Sequence, residues 1–140
     1  YMKKIIFSIL AAFFTVSANA QESSIFKGYI YNEEFQVYIN MDFYKKNITV
    51  PNQEIYGELP GYFGANRDTR KWLFTSAEIT DSVTTKLEIT NDYGSEDLEA
   101  VLKKLPDGTY QLEQKEGSTI KIAVNRKWVK IPKKIIFIKR

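Results

Sequence analysis

Residues 106–124 read PDGTYQLEQKEGSTIKIAV, and this stretch decides the fold. Tyr110 and Leu112 alternate with Thr109, Gln111 and Glu113. After Glu116-Gly117-Ser118, Ile120, Ile122 and Val124 alternate with Thr119, Lys121 and Ala123. A period of two sends neighbouring side chains to opposite faces of an extended chain, so each run has one dry face and one wet face. Pro106-Asp107-Gly108 and Glu116-Gly117-Ser118 punctuate the runs. Proline presets the entry angle of a turn and glycine supplies positive φ.

The same alternation extends outward. Phe35, Val37, Ile39 and Met41 alternate with Gln36, Tyr38 and Asn40, and Leu87 and Ile89 alternate with Lys86, Glu88 and Thr90. Asn32-Glu33 and Pro60-Gly61 mark further turns. Strands are expected near 25–31, 34–41, 47–50, 53–59, 71–79, 84–90, 97–105, 109–115, 118–125 and 133–139. Links this short suit an antiparallel up-and-down meander, because parallel crossovers and Greek keys need longer connections. The expected class is all-β, a small barrel of 8–10 strands.

One segment reads two ways. In Ser95–Leu105, SEDLEAVLKKL, the residues Leu98, Val101, Leu102 and Leu105 fall at helical spacing, with Ser95 as N-cap and an i,i+4 pair of Glu99 and Lys103. Leu98, Ala100 and Leu102 also alternate. Strands on both sides favour a strand here, with a short helix near 96–104 as the other option.

The N-terminal residues carry an address. Met2 to Ala20, MKKIIFSILAAFFTVSANA, has two lysines, an apolar run from Ile5 to Val16, and small residues at a cleavage site, Ala18-Asn19-Ala20. This three-part pattern is that of a cleaved secretory signal at 1–20. It implies a periplasmic or secreted product, a single β domain at 21–140, with no membrane anchor after cleavage. The apolar run is shorter than the roughly 20 residues a membrane span needs.

Composition narrows the chemistry. The chain has no cysteine and no histidine. Disulfides, thiolate nucleophiles and thiolate or imidazole metal ligation are therefore closed, as is Ser-His-Asp catalysis. No cofactor or metal is expected, and an enzyme is not expected. Carboxylate-only glycoside hydrolysis is the one enzymatic route left in view. Formal net charge is +3, and without Lys3 and Lys4 it is +1. The segment Arg126–Arg140 holds seven basic residues and no acid. A lysine-bearing edge strand accounts for this more simply than an anion-binding tail. Export argues against a nucleic-acid partner.

Four residues are singled out for ligand contact: Tyr62, Phe63, Trp72 and Tyr93. Tyr62 and Phe63 sit in GELPGYFG (Gly57–Gly64), which reads as a glycine-rich loop with two aromatics at its tip. Flat rings on a loop grip sugars or apolar ligands; the same rings also serve as a lid over a core. Trp72 belongs to an aromatic stock with Tyr29, Tyr31, Phe35, Phe74, Tyr110 and Trp128 that would either line a barrel cavity or fill it. Tyr93 lies in Asn91–Asp97, NDYGSED, whose oxygen-bearing side chains suit a turn and do not match the spacing of a calcium loop. Asp81-Ser82-Val83 resembles the acceptor motif of a bacterial O-glycosylation system, and Asn47-Ile48-Thr49 is a formal N-glycosylation sequon.

The signal ending at Ala20-Gln21, the roughly 120 residues that follow it and the short-stranded meander resemble small exported calycin-like barrels (lipocalin-like, avidin-like) of Gram-negative bacteria. The lipocalin Gly-x-Trp is absent, with Phe26-Lys27-Gly28-Tyr29 at its place. The resemblance implies ligand binding or inhibition and transfers no site residue. Disulfide-dependent lysozyme inhibitors fit less well, since no cysteine is present. The expected function is thus an exported non-enzymatic binder of a small apolar or glycan ligand. The alternative is an inhibitor or immunity-type module with a protein partner.

Overall fold

The computed structural model describes residues 24–140. The signal expected at 1–20 lies outside the described residues. Twelve strands follow in order: β1 (Lys27–Asn32), β2 (Val37–Asp42), β3 (Ile48–Thr49), β4 (Glu58–Leu59), β5 (Gly61–Ala65), β6 (Asp68–Asp81), β7 (Thr84–Asn91), β8 (Asp97–Lys104), β9 (Tyr110–Gly117), β10 (Lys121–Val124), β11 (Lys127–Lys130) and β12 (Lys134–Lys139). Eight close into an antiparallel barrel in the order β1-β12-β9-β8-β7-β6-β5-β2. This is an up-and-down meander with two small ribbons inserted, β3–β4 between β2 and β5 and β10–β11 between β9 and β12.

The alternation of the sequence becomes inside and outside. Ile30, Val37, Ile39, Phe63, Phe74, Leu87, Ile89, Leu98, Leu102, Leu112, Ile135 and Phe137 point inward and are almost fully buried. Aromatic rings interlock there: Phe63 meets Phe137 edge-on at 6.4 Å, and Phe43 meets Phe74 at 6.1 Å. Phe26 and Phe43, stacked at 5.6 Å, close the end where β2 stops and β5 begins. At the other end Ile120, Ile122 and Ile131 of the second ribbon enter the same core. Both mouths are thus stoppered by side chains.

Gln114 fixes that second ribbon. Its amide nitrogen donates to the carbonyls of Ile131 and Pro132, both at 3.1 Å, and its oxygen accepts from Ile120 N at 2.8 Å. The side chain is 5% exposed, so these bonds satisfy groups that water does not reach.

Several expectations are corrected. The strand favoured near 97–105 is β8 (Asp97–Lys104), and the short helix that was the other option does not form: residues pair in register from Thr84↔Lys103 to Thr90↔Asp97, and long-range pairing outweighs a good local helix pattern. The stretch 53–59 is not one strand but a short 3₁₀ turn (Glu54–Tyr56) followed by β4. Gly57–Gly64 is not a loop throughout, because Gly61–Ala65 is barrel strand β5 with every residue buried. A side chain at Gly61 would lie 2.4 Å from Asn40 O, and one at Gly64 would lie 2.5 Å from the Tyr38 ring. Those glycines serve close approach to β2 and not a flexible loop. The strand expected at 118–125 leaves the barrel and pairs only with β11. The basic C-terminal strand is not an edge: β12 pairs with both β9 and β1.

Candidate functional site

The four singled-out residues part company. Phe63 is wholly inside the barrel. Tyr62 faces outward from β5, but Val50 and Leu73 bury it beneath the first ribbon. Neither is at a loop tip. Trp72 and Tyr93 are brought together, lining a cleft of about 220 Å³ at the barrel end where β6 starts and β7 stops. Arg70, Asp92, Glu96, Lys121 and Trp128 share this cleft.

Each element of the cleft has a physical reason to be there. Trp72 is 5% exposed, and its indole N–H donates to Lys121 O at 3.2 Å, pinning β10 against β6. Asp68 holds the same junction: one carboxylate oxygen accepts from Ala123 N at 2.8 Å, the other from Arg70 N at 3.1 Å. The 92–96 turn is shaped by Asn91, whose side-chain oxygen accepts from Ser95 N and Glu96 N. This is a turn function for NDYGSED, and among the described residues no group of three or more carboxylates is placed to hold a metal ion. Tyr93 rides on that turn, 77% exposed. Tyr56, from the segment between β3 and β4, donates to Asp92 O at 3.2 Å, so both inserted ribbons reach this rim.

Trp128 completes the cleft. It is 56% exposed on the outer face of the second ribbon. The Arg70 guanidinium carbon lies 5.0 Å from its ring centre and Lys121 Nζ lies 5.2 Å away, both within cation–π range. Lys121 also contacts the Glu96 carboxylate at 3.3 Å. The cleft thus offers one buried indole as a floor, two exposed rings at its lip, and mixed charge around them. Such convergence of flat faces with hydrogen-bonding groups is how a ring-shaped polar ligand is held. Sequence reading had placed Trp128 among barrel-lining aromatics and did not foresee Arg70 or Lys121. The clue was local: a tryptophan with lysines at i−1 and i+2.

Larger grooves exist elsewhere on the surface. Those of about 330 and 480 Å³ along β6–β9 are lined by Glu78, Lys86, Glu88, Glu99 and similar residues, with no aromatic ring. One of about 580 Å³ at the opposite end holds Ile25, Ser82, Val83 and Leu105, also without a ring. Size alone does not make them recognition sites.

A second feature lies on the outer face of β1, β2 and β12. Tyr29 stacks on Tyr38 at 5.3 Å, Tyr31 lies 6.5 Å from Tyr29, and the Arg140 guanidinium sits 4.2 Å over Tyr31. Ile136 and Ile138 extend the face, 42% and 47% exposed. Burial and the neighbouring Tyr62 push the Tyr38 phenol up to about 12. Tyr29 and Tyr31, expected among the barrel-lining aromatics, are therefore exterior.

Fold and site together define a closed eight-stranded antiparallel β-barrel with stoppered ends and an aromatic cleft on its rim. No family model, no curated protein and no solved structure matches the chain.

Proposed function

We propose that this protein is an exported, non-enzymatic binding module that takes a saccharide at the Trp72–Tyr93–Trp128 cleft. The observation that carries the proposal is the meeting of two exposed rings and one buried indole with Asp92, Glu96, Arg70 and Lys121 in one concavity. Sugar rings present an apolar face and a rim of hydroxyls, which calls for this pairing. The cleft is smaller than the roughly 300 Å³ at which sites for drug-sized ligands begin. It would seat one sugar ring and leave the rest of a longer glycan outside. An apolar ligand within the barrel is disfavoured, because phenylalanines and isoleucines occupy the interior and both mouths. The closed meander and the signal-like N-terminus support a place among calycin-like exported barrels, here with the ligand moved from lumen to rim.

Catalysis is not proposed. Asp68 and Asp92 already accept backbone N–H groups and Glu96 meets Lys121, so each acid is used in holding the cleft together.

The test is titration of the protein with neutral and acidic oligosaccharides, followed by tryptophan fluorescence and by the indole N–H resonances of Trp72 and Trp128. Binding should move those signals, and Trp128→Ala should weaken it by tenfold or more. Saturable binding whose perturbed resonances lie elsewhere would overturn the assignment.

The tyrosine–isoleucine face favours a second reading, a protein-binding module of the inhibitor or immunity type. Tyrosine and arginine are enriched at interfaces. That reading expects Ile138→Asp to abolish partner binding while leaving saccharide titration unchanged.

A further inference from the structure

Resting on the saccharide reading of the cleft, we infer that the ligand is an acidic saccharide, one whose ring carries a carboxylate. The argument begins with the ribbon's register. Lys121 pairs directly with Lys130, and Ala123 with Trp128. Residues paired or two apart on a strand share a face, so Lys121, Trp128 and Lys130 form one outward row. Like charges placed directly opposite each other repel and weaken a ribbon. Nothing in the barrel requires this pair, since Ile122 and Val129, on the other face, do the packing.

The compensation available within the protein is partial. Glu96 contacts Lys121 at 3.3 Å. Among the described residues Lys130 has no ion-pair partner. Arg70, the second cation over the Trp128 ring, meets Asp68 by a single long contact of 3.4 Å from one guanidinium nitrogen. A guanidinium offers five N–H donors and an ammonium three. Arg70 and Lys121, which line the cleft, therefore keep donor capacity beyond these contacts. The acids are differently placed. Asp68 spends one oxygen on Ala123 N and the other on Arg70, and Asp92 accepts from Lys71 N. Asp68 and Asp92 are thus taken up by backbone N–H groups, whereas the only carboxylate the Arg70 guanidinium meets among the described residues is that of Asp68.

Ala123 supports the same conclusion. Opposite Trp128 it contributes only a methyl group, and Trp128 remains 56% exposed. A sugar ring seated there would place a ring carboxylate beside Arg70 and Lys121, the two cations that line the cleft at Trp128. Charge-assisted bonds to carboxylate are the stronger class, and arginine accepts one bidentately. An anion at Lys121 would also offset part of the repulsion that Lys121 feels from Lys130.

The experiment uses tri-galacturonate and its fully methyl-esterified form, which differ in charge and little in shape. Titration calorimetry and the Trp128 indole resonance report both. The free acid should bind at least tenfold more tightly, since a lost charge-assisted hydrogen bond reads as roughly that factor. Its advantage should shrink when ionic strength rises from about 0.01 M to about 1 M, where the screening length falls from roughly 30 to 3 Å. Lys121→Gln, whose backbone carbonyl still accepts from Trp72, should bring the ratio of free-acid to ester affinity down toward one, and an undiminished ratio overturns the inference. Equal or tighter binding of the ester overturns the inference and leaves the saccharide reading standing. If neither sugar moves the Trp128 resonance, and a panel of other glycans also fails, the saccharide reading falls and takes this inference with it.

Discussion

Gln114→Leu should unfasten the second ribbon from the barrel. The wild-type amide makes three hydrogen bonds, to Ile120 N, Ile131 O and Pro132 O, in a site where the residue is 5% exposed. Leucine fills a similar volume without any donor or acceptor. Three backbone groups then lose their partner. A buried orphan costs about 1–3 kcal/mol, and an average net hydrogen bond about 1 kcal/mol. Partial hydration at the ribbon's neck keeps the total near the lower end, about 3 kcal/mol. For a domain of this length that corresponds to a fall in Tm of roughly 12 °C. Denaturant unfolding should show the loss in midpoint with an unchanged slope. Amide exchange should localise it, with Ile120 N–H losing protection while β7 and β8 amides fall only with global stability. The Trp72 indole resonance should broaden, because Lys121 O, its acceptor, sits on the loosened ribbon. A stability loss below about 1 kcal/mol with Ile120 still protected would refute the role given to Gln114.

Three further outcomes follow from other sites. Gly117→Ala should cost about 2 kcal/mol or more in denaturant titration, since φ is +105° and a new Cβ would lie 2.5 Å from Asp97 O and 2.7 Å from Leu98 Cα, backbone atoms with no room to yield. Trp72→Phe keeps a ring in the core but removes the bond to Lys121 O, and calorimetry should find about 1 kcal/mol of destabilisation or slightly more. Stability should fall as pH rises from about 10 through about 12, because burial first, and Tyr62 second, raise the Tyr38 phenol above its unfolded value near 10. In that window the unfolded chain has released a proton that the folded chain retains, so the slope is negative; Tyr38→Phe should make it shallower in a series of alkaline denaturation curves, with Tyr29 and Tyr110, also raised by burial, supplying the remainder.

The barrel was legible wherever alternation ran long enough. Residues 84–91 and 110–117 are strands because Leu87, Ile89, Tyr110 and Leu112 point one way and the charges between them the other. Strand β5 was hidden because its glycines read as loop signals, whereas the structure uses them to bring β5 against Asn40 and Tyr38 of β2. The β10–β11 turn was hidden for the opposite reason. Asn125 and Arg126 both adopt positive φ, the conformation a two-residue hairpin needs, but arginine stands where glycine is customary. The site was only half visible. Trp72 and Tyr93 were singled out, yet 49 residues separate Trp72 from Lys121, and no local pattern reports that contact. The basic C-terminal run was read as an edge because a sequence does not display barrel closure.

That closure has a consequence for how the chain is made. β12 is wedged between β9, which precedes it by one ribbon, and β1, at the other extremity of the described chain. Only Ile30↔Lys139 and Tyr31↔Ile138 register the seam with β1, helped by Arg140 N donating to Tyr29 O and by Asn32 donating to Ile136 O. Until residues 134–140 have left the ribosome, the growing sheet is an open ribbon with two unpaired margins. The finished shape is therefore unavailable to the nascent chain before then, and residues 134–140 act as a catch that turns an open sheet into a sealed one.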